Sequence, residues 1–348
     1  MNVIILSDGI RGHFHQSSGV SKWLERLGDF KLDKIIEVPK FSGFKKFWLF
    51  KILARKLKNS RDKNFALSWL KRTGLKIPDL RQNSTLFIST GSTAAPYNLA
   101  LARATGNKCA VIMTPSILGI TPFDFAIVPE HDNPQNNSHV IKTLGAPNHI
   151  YIPDLKSAAD EKFGNIRAQK VLAILIGGND ANYKITPEWV NEILKPLANL
   201  RDTAILITTS RRTGVEADLA IKNIFADKAE FLLLASENPN ENPIPAMLGC
   251  STHVLVTEDS VSMVSEAVTA GFKVGLLRVK RSDNFLKNIL GYGAVRFDKL
   301  FEKMLERNLI IDLGKNPDYE KFLSTPEQKH SQNFNEAKSA AEFIIKNI

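Results

Sequence analysis

Short apolar runs, each ending in a small or polar turn, recur along this chain, and few architectures accommodate such a rhythm. In the first half they are NVIIL (2–6), KIIEV (34–38), STLFIST (84–90), KCAVIMT (108–114) and DFAIVP (124–129). In the second half they are KVLAILIGG (170–178), TAILITTS (203–210), AEFLLLA (229–235), THVLVTED (252–259) and KVGLLRV (273–279). Amphipathic stretches near 17–27, 64–73, 91–106, 187–201, 213–226 and 262–271 separate them. Strand, helix, strand at this spacing predicts parallel sheets with crossover helices. The rhythm lapses in TLGAPNHIYIPDLKSAADEKF (143–163), where Gly and Pro mark the best linker. The expected fold is therefore α/β, with two Rossmann-like, doubly wound parallel-sheet domains at 1–150 and 165–325. A closing helix at 326–348 is expected to pack back on the first of them.

The 348 residues are too many for one small core and suit two domains. No apolar run approaches the ~20 residues that cross a bilayer. Met1 leads straight into a strand without a basic flank, so a secretory signal is not expected, and Cys109 and Cys250 lack metal-ligand spacing. A reducing cytoplasm is the expected compartment. The net charge of +10 points to polyanionic partners. Its distribution narrows them, because residues 40–63 carry nine Lys or Arg against one Asp. There Phe44, Phe47, Trp48, Phe50, Ile52, Leu53 and Leu57 alternate with Lys45, Lys51, Arg55 and Lys58. Clustered aromatics beside cations predict a helix on an anionic membrane surface, contacted through Phe44, Phe47, Trp48, Lys51 and Arg55. Nucleic acid is disfavoured, since these aromatics group with aliphatics rather than standing as spaced stacking platforms.

Ligands of open α/β sheets sit beyond the carboxyl ends of the strands. The turns there are rich in Gly, Ser, Thr, Asn and Arg. In SDGIRGHFHQSSG (7–19), Gly9 and Gly12 permit close backbone approach, and His13 suits a general base. The glycine spacing departs from G-x-G-x-x-G, which disfavours a dinucleotide. STGSTAAP (89–96) offers Ser92 and Thr93 at a helix start, and VPEHD (128–132) offers Glu130 and His131 to the same side. LIGGNDANY (175–183) reads as a phosphate loop through Gly177, Gly178 and Asn179. TTSRRTG (208–214) places Ser210, Arg211 and Arg212 where guanidinium groups clamp a diphosphate. TEDSVSMVSEAVTAG (257–271) puts Ser260 and Ser262 at a helix start, with Glu266 one turn on as a partner for ribose hydroxyls. No set of residues specifies a metal, and neither metal nor cofactor is expected.

Taken together, SDGIRGHFHQ, ISTGSTAAP, VPEHD, GGNDANY, TTSRRT and VTEDSVSMVSEA resemble the successive blocks of the elongated-mitochondria (mitochondrial fission) family, over roughly residues 3–280. Bacterial members are usually labelled predicted nucleoside-diphosphate-sugar epimerases or glycosyltransferases. The family is similar to the GT-B architecture of two Rossmann-like domains facing a cleft. The lipid-linked N-acetylglucosamine transferase of peptidoglycan synthesis is a useful comparison: Gly12-His13 matches its acceptor-side Gly-His, and Ser265-Glu266 matches its nucleotide-holding Ser-Glu pair. The resemblance implies that Glu266 binds ribose and that Ser260, Ser262 and Met263 approach the diphosphate. Family loops commonly read DGRPGHENQ, whereas this chain has DGIRGHFHQ, with Phe14 and His15 replacing two polar residues.

The expectation is a metal-independent, GT-B-type glycosyltransferase that moves sugar from a nucleoside-diphosphate sugar to a lipid-linked or cell-envelope acceptor. It would lie peripherally on the inner face of the cytoplasmic membrane and bind no nucleic acid. A nucleoside-diphosphate-sugar 2-epimerase and a non-catalytic membrane-associated scaffold are the alternatives on the same fold.

Overall fold

A computed structural model describes residues 1–80, 84–281, 295–325, 329 and 333–348. The chain divides into two compact units, the first made of Met1–His149 with Asn335–Ile348 and the second of Ile150–Phe334.

In the first unit, β1 (Asn2–Ser7) leads into α1 (Arg11–Leu27) and β2 (Lys31–Glu37). A helical stretch over 43–59 follows: α2 (Gly43–Phe47), a π-helical turn at Trp48–Leu53, and α3 (Ala54–Asn59). Next come α4 (Lys63–Thr73), β3 (Thr85–Thr90), α5 (Gly91–Thr105), β4 (Lys108–Ile112), β5 (Phe125–Pro129) and β6 (Val140–Thr143). All six strands are parallel, in the order β2-β1-β3-β4-β5-β6. Alternation along β1 explains why both sheet faces must be covered. Ile4 and Leu6 enter one core with Trp69, Phe87 and Tyr97, while Val3 and Ile5 enter another with Val20 and Leu24.

The second unit repeats the plan. It contains α6 (Ile152–Phe163), β7 (Lys170–Ile176), β8 (Tyr183–Lys184), α7 (Pro187–Trp189), β9 (Thr203–Thr209), α8 (Val215–Phe225), β10 (Phe231–Leu233), α9 (Ile244–Cys250), β11 (His253–Thr257), α10 (Val261–Thr269), β12 (Val274–Leu277), β13 (Lys280–Arg281), α11 (Val295–Glu306), β14 (Ile310–Asp312) and α12 (Tyr319–Ser324). Its parallel sheet runs β10-β9-β7-β11-β12-β14, and β8 pairs with β13 in a separate antiparallel ribbon. The last helix, α13 (Glu336–Asn347), belongs to the first unit, where Ala337, Ala340, Ala341 and Ile344 join the core of Val3, Ile5, Val20 and Leu24. Glu336 caps two backbone N–H groups there, those of Leu144 and Gly145. Of the closing helix expected at 326–348, residues 326–328 and 330–332 lie outside the described residues. The fold is of GT-B type: two Rossmann-like α/β units, each built on a six-stranded parallel sheet.

Three local readings change. Residues 152–163, read as linker, are helical: Pro153 sits in the first turn, where its missing N–H costs nothing, and Leu155, Ala159 and Phe163 form a buried stripe one turn apart. The helix expected near Ser17 starts at Arg11, so His13 rides on a first turn rather than on a loop. Phe50, Leu53 and Leu57, read as part of a membrane-facing surface, pack into the core beside Trp69.

Candidate functional site

Each sheet reverses its strand order at one point, and ligands of doubly wound sheets bind there. In the first unit that point lies between β1 and β3, and in the second between β7 and β11. Both points carry a buried aspartate.

At the first, β1 ends at Ser7 and the chain turns through Asp8, Gly9 and Ile10 into α1. The Ile10 N–H donates to Asp8 Oδ1 at 3.1 Å, a local turn that leads the chain into the helix without a side-chain cap. Asp8 Oδ2 lies 2.9 Å from His13 Nδ1. The carboxylate is 2% exposed and the imidazole 24%, so the acid is sealed while the ring still reaches solvent. A carboxylate only accepts, so Nδ1 carries a proton, and in the neutral ring Nε2 keeps the lone pair. Burial pushes the Asp8 carboxyl up, but the hydrogen bond from His13, the charge of its ring when protonated, and the Ile10 N–H outweigh it, and the group sits below the usual carboxylate range. From β3, Gly91 opens α5 at φ 79°, and a Cβ there would stand 2.6 Å from His13 Cε1. The glycine is therefore what admits the imidazole. Ser17 and Thr90 tie α1 to the end of β3 by a hydroxyl pair at 2.8 Å.

At the second, β7 and β11 end side by side. The Gly177 N–H donates to Thr257 Oγ1 at 2.8 Å and the Gly178 N–H to Asp259 Oδ2 at 2.6 Å. A Cβ on Gly177 would fall 2.1 Å from that oxygen, and one on Gly178 would fall 2.2 Å from the Arg212 carbonyl carbon. The Gly-Gly pair thus exists for close packing against Asp259 and the 210–214 turn. Arg212 spans this turn: Nη2 is 3.4 Å from Asp259 Oδ2, and Nη1 reaches the carbonyls of Gly178 and Asn179 and, at 3.9 Å, Asp180. Burial drives Asp259 up to about 6, against the pull of the Gly178 N–H, the Thr257 hydroxyl and Arg212, while Asp180 adds to the rise. The neighbouring Glu258 turns the other way, onto the Val279 N–H and the guanidinium groups of Arg278 and Arg281. Those arginines continue to Asp312 and Asp298, which closes an ion-pair chain behind the strand ends. Ser260 then caps α10 by position without a side-chain cap bond, and no acidic residue occupies the first turn.

The sequence profile of the family described as Mitochondrial fission ELM1 matches residues 11–348, a stretch that takes in His13 and the whole second corner and begins after Asp8. The chain belongs to the Mitochondrial fission ELM1 family. The curated Mitochondrial fission protein ELM1 of Arabidopsis thaliana is 27% identical over 176 residues, which covers 48% of this chain and 41% of that protein. The match thus spans less than half of the plant relative. Among solved structures, UDP-GlcNAc 2-epimerase from Neisseria meningitidis bound to UDP-GlcNAc covers 99% of this chain and 99% of its own, with 12% identity and a TM-score of 0.52. TcCGT1 in complex with UDP covers 99% of this chain and 93% of its own, with 9% identity and a TM-score of 0.51. At such identities the likeness is one of fold.

In this ELM1-family chain the remaining expected residues divide by what already occupies them. Gly9 lies exposed in the first turn and Gly12 within α1. Ser92 Oγ bonds Ser116 Oγ at 2.8 Å and accepts from the Ser116 N–H, while Thr93 is half-buried one residue on. Glu130 and His131 fall in a 3-10 turn after β5, where His131 pairs with Asp132 at 3.7 Å. Asn179, expected to reach phosphate or sugar oxygens, is exposed and already holds two backbone groups: its Oδ1 accepts from the Ile185 N–H and its Nδ2 donates to the Thr213 carbonyl. Ser265 is buried, and its hydroxyl donates back to the Val261 carbonyl. Glu266 is buried on the same helix, and Ser262 and Met263 are half-exposed in its first turn. Ser210 accepts from the Arg212 N–H, and Arg211 is exposed, with no ion pair among the described residues. Phe44 and Phe47 are 80% and 53% exposed beside exposed Lys51 and Arg55, while Trp48 is half-covered by the Arg72 guanidinium. No helix among the described residues is long and apolar enough to cross a membrane.

Asp8, Gly91 and Asp259 are not among the residues expected from the sequence. Asp8 has a signal there, an acid directly after a buried strand and five residues before His13. Asp259 has a weaker one, the second acid of an ED pair at a strand end.

Proposed function

We propose that this protein transfers sugar from a nucleoside-diphosphate sugar to a lipid-linked or envelope acceptor, with His13 as the base. The observation that carries the proposal is the sealed Asp8 carboxylate holding His13 Nδ1, which leaves Nε2 to take a proton from an acceptor hydroxyl. Asp8 fixes the tautomer and steadies the imidazolium that forms, as the carboxylate does in a Ser-His-Asp triad. In the second unit the head of α10 at Ser260, Ser262 and Met263, together with Arg211 and Arg212, would receive the diphosphate. A helix N-terminus without competing acid and two guanidinium groups stabilise the leaving anion. Glu266 would hold the ribose. The exposed Phe44 and Phe47, set among lysines and arginines on the 43–59 stretch, suit an anionic bilayer that presents a lipid-linked acceptor.

A thermal-shift panel of UDP, GDP, ADP and CMP comes first; no shift with any of them removes the donor site. Release of nucleoside diphosphate is then compared between wild type and His13→Ala, and full activity in the variant overturns the base. Donor turnover without acceptor and without released nucleotide would replace transfer by epimerisation. Flotation on anionic vesicles tests the membrane contact, which is lost from the proposal if Phe44→Ala/Phe47→Ala floats like wild type.

A further inference from the structure

The proposed reaction gives the buried Asp259 no task. The Asp259 side chain has no exposed surface, and its Oδ1 has no hydrogen-bond partner. Oδ2 is held by the Gly178 N–H. The cation facing it is Arg212, from the turn after β9, at the long limit of hydrogen-bonding distance. Arg212 is 45% exposed and shares itself among Asp259, Asp180 and two backbone carbonyls, none nearer than 3.4 Å. The other ionisable groups around Asp259 are Asp180, on the 177–182 loop, and the phenol of Tyr183 on β8, whose buried hydroxyl also lacks a partner. Glu258, the adjacent residue, is committed to Arg278 and Arg281. Asp259 is thus a sealed charge whose counter-ion is loosely held and open to solvent.

We infer that a diphosphate bound at the second unit draws Arg212 off Asp259, and that Asp259 Oδ1 takes up a proton from solvent as the cation leaves. An anion arriving from solvent meets the exposed guanidinium, not the buried carboxylate. Phosphate oxygens accept two parallel N–H bonds from it, a stronger arrangement than the long contacts it would give up. Stripping a buried carboxylate of its cation is costly, and the incoming phosphates add negative charge beside it, so protonation is the inexpensive response. Oδ2 keeps the Gly178 N–H throughout, so the loop holds its shape while the charge disappears. Nucleotide affinity should therefore fall as pH rises above about 6, by up to ~10-fold per pH unit beyond the nucleotide's own titration.

The inference rests on the diphosphate site proposed above, and its test separates the two. UDP binding to the full chain is measured by titration calorimetry at pH 7 in buffers of different ionisation enthalpy, with inorganic pyrophosphate as a base-free probe. Wild type should take up more protons per bound ligand than Asp259→Asn, by up to one. Arg212→Gln is the second variant: with its cation gone, Asp259 is already protonated before ligand arrives, and uptake should drop to the Asp259→Asn level. Equal proton counts in all three proteins overturn the proton link and leave the diphosphate site standing. Absence of binding by both UDP and pyrophosphate to wild type overturns the site, and the inference with it.

Discussion

Asp8 and Asp259 flank the reversal of strand order in their units, each buried just past the carboxyl end of an interior strand, Asp8 after the first strand of its sheet and Asp259 after the strand across the reversal. Their partners make them opposites. Asp8 faces an imidazole at 2.9 Å and a backbone N–H at 3.1 Å, and ends more acidic than a free carboxyl. Asp259 faces a diffuse, half-exposed guanidinium, and ends less acidic, at about 6. Depth of burial and tightness of partner set the charge of a carboxylate together: Asp259 is both the more deeply buried and the more loosely paired. One corner is built to keep a negative charge and orient a base, the other to hold a charge it can lose.

The largest effect that tests this contrast is on turnover. His13→Ala should lower nucleotide release by about 10²–10⁴-fold, the usual contribution of a positioned base. Asp8→Asn should lower kcat with KM little changed, because the carboxylate acts through the ring rather than on the substrate; an unaltered kcat would break the dyad.

Stability against pH should then run in opposite directions at the two corners. Asp8 has a folded pKa below its unfolded value, so its contribution is present above about pH 4 and is lost as pH falls further. Asp259 has a folded pKa above its unfolded value, so its contribution is present below about pH 4 and is lost as pH rises through about 6. Denaturant unfolding should show Asp259→Asn gaining on wild type by about 3 kcal/mol between pH 4 and pH 8. Asp8→Asn should instead lose ground on wild type as pH rises toward about 4 and run parallel to it above. Parallel curves for the two variants would erase the distinction.

A smaller effect is steric. Gly91→Ala places a Cβ against His13 at a positive φ, which should cost about 1–3 kcal/mol of unfolding free energy and disturb activity along with it. Gly106→Ala, also at positive φ but with no atom within 4 Å of the added Cβ, is the control for backbone strain without the imidazole. The smallest is Arg211→Ala, which should leave stability within about 0.5 kcal/mol and weaken UDP binding only.

Much of this is legible from residue pattern alone. Buried parallel strands announce themselves as near-continuous apolar runs, so every sheet strand of five or more residues can be located, and the four-residue β12 and three-residue β10 with them; β6, β14 and the two-residue β8 and β13 do not stand out. The corners are found for the same reason, as polar turns at strand ends. What the sequence hides is which polar group is already engaged. Asn179 reads as a phosphate contact, and in the fold its amide also ties the Ile185 N–H to the Thr213 carbonyl; nothing in a linear pattern brings those two groups beside it. Gly177-Gly178 looks like a phosphate loop, and its tight approach proves to be to Asp259 and Arg212. Phe50 and Phe47 look alike in sequence, and the π-helical turn at Trp48–Leu53 sends the first inward while the second stays in solvent.

The return of α13 to the first unit has a consequence for the order in which the molecule can be completed. The ribosome delivers all of residues 150–334 before Ala337, Ala340, Ala341 and Ile344 exist. Until then Val20 and Leu24 lack the apolar face that covers them, and the Leu144 and Gly145 N–H groups lack the Glu336 carboxylate. The unit whose synthesis starts first is the one that closes last, so a nascent chain must carry the His13 corner on an unfinished core while the Asp259 corner is already whole.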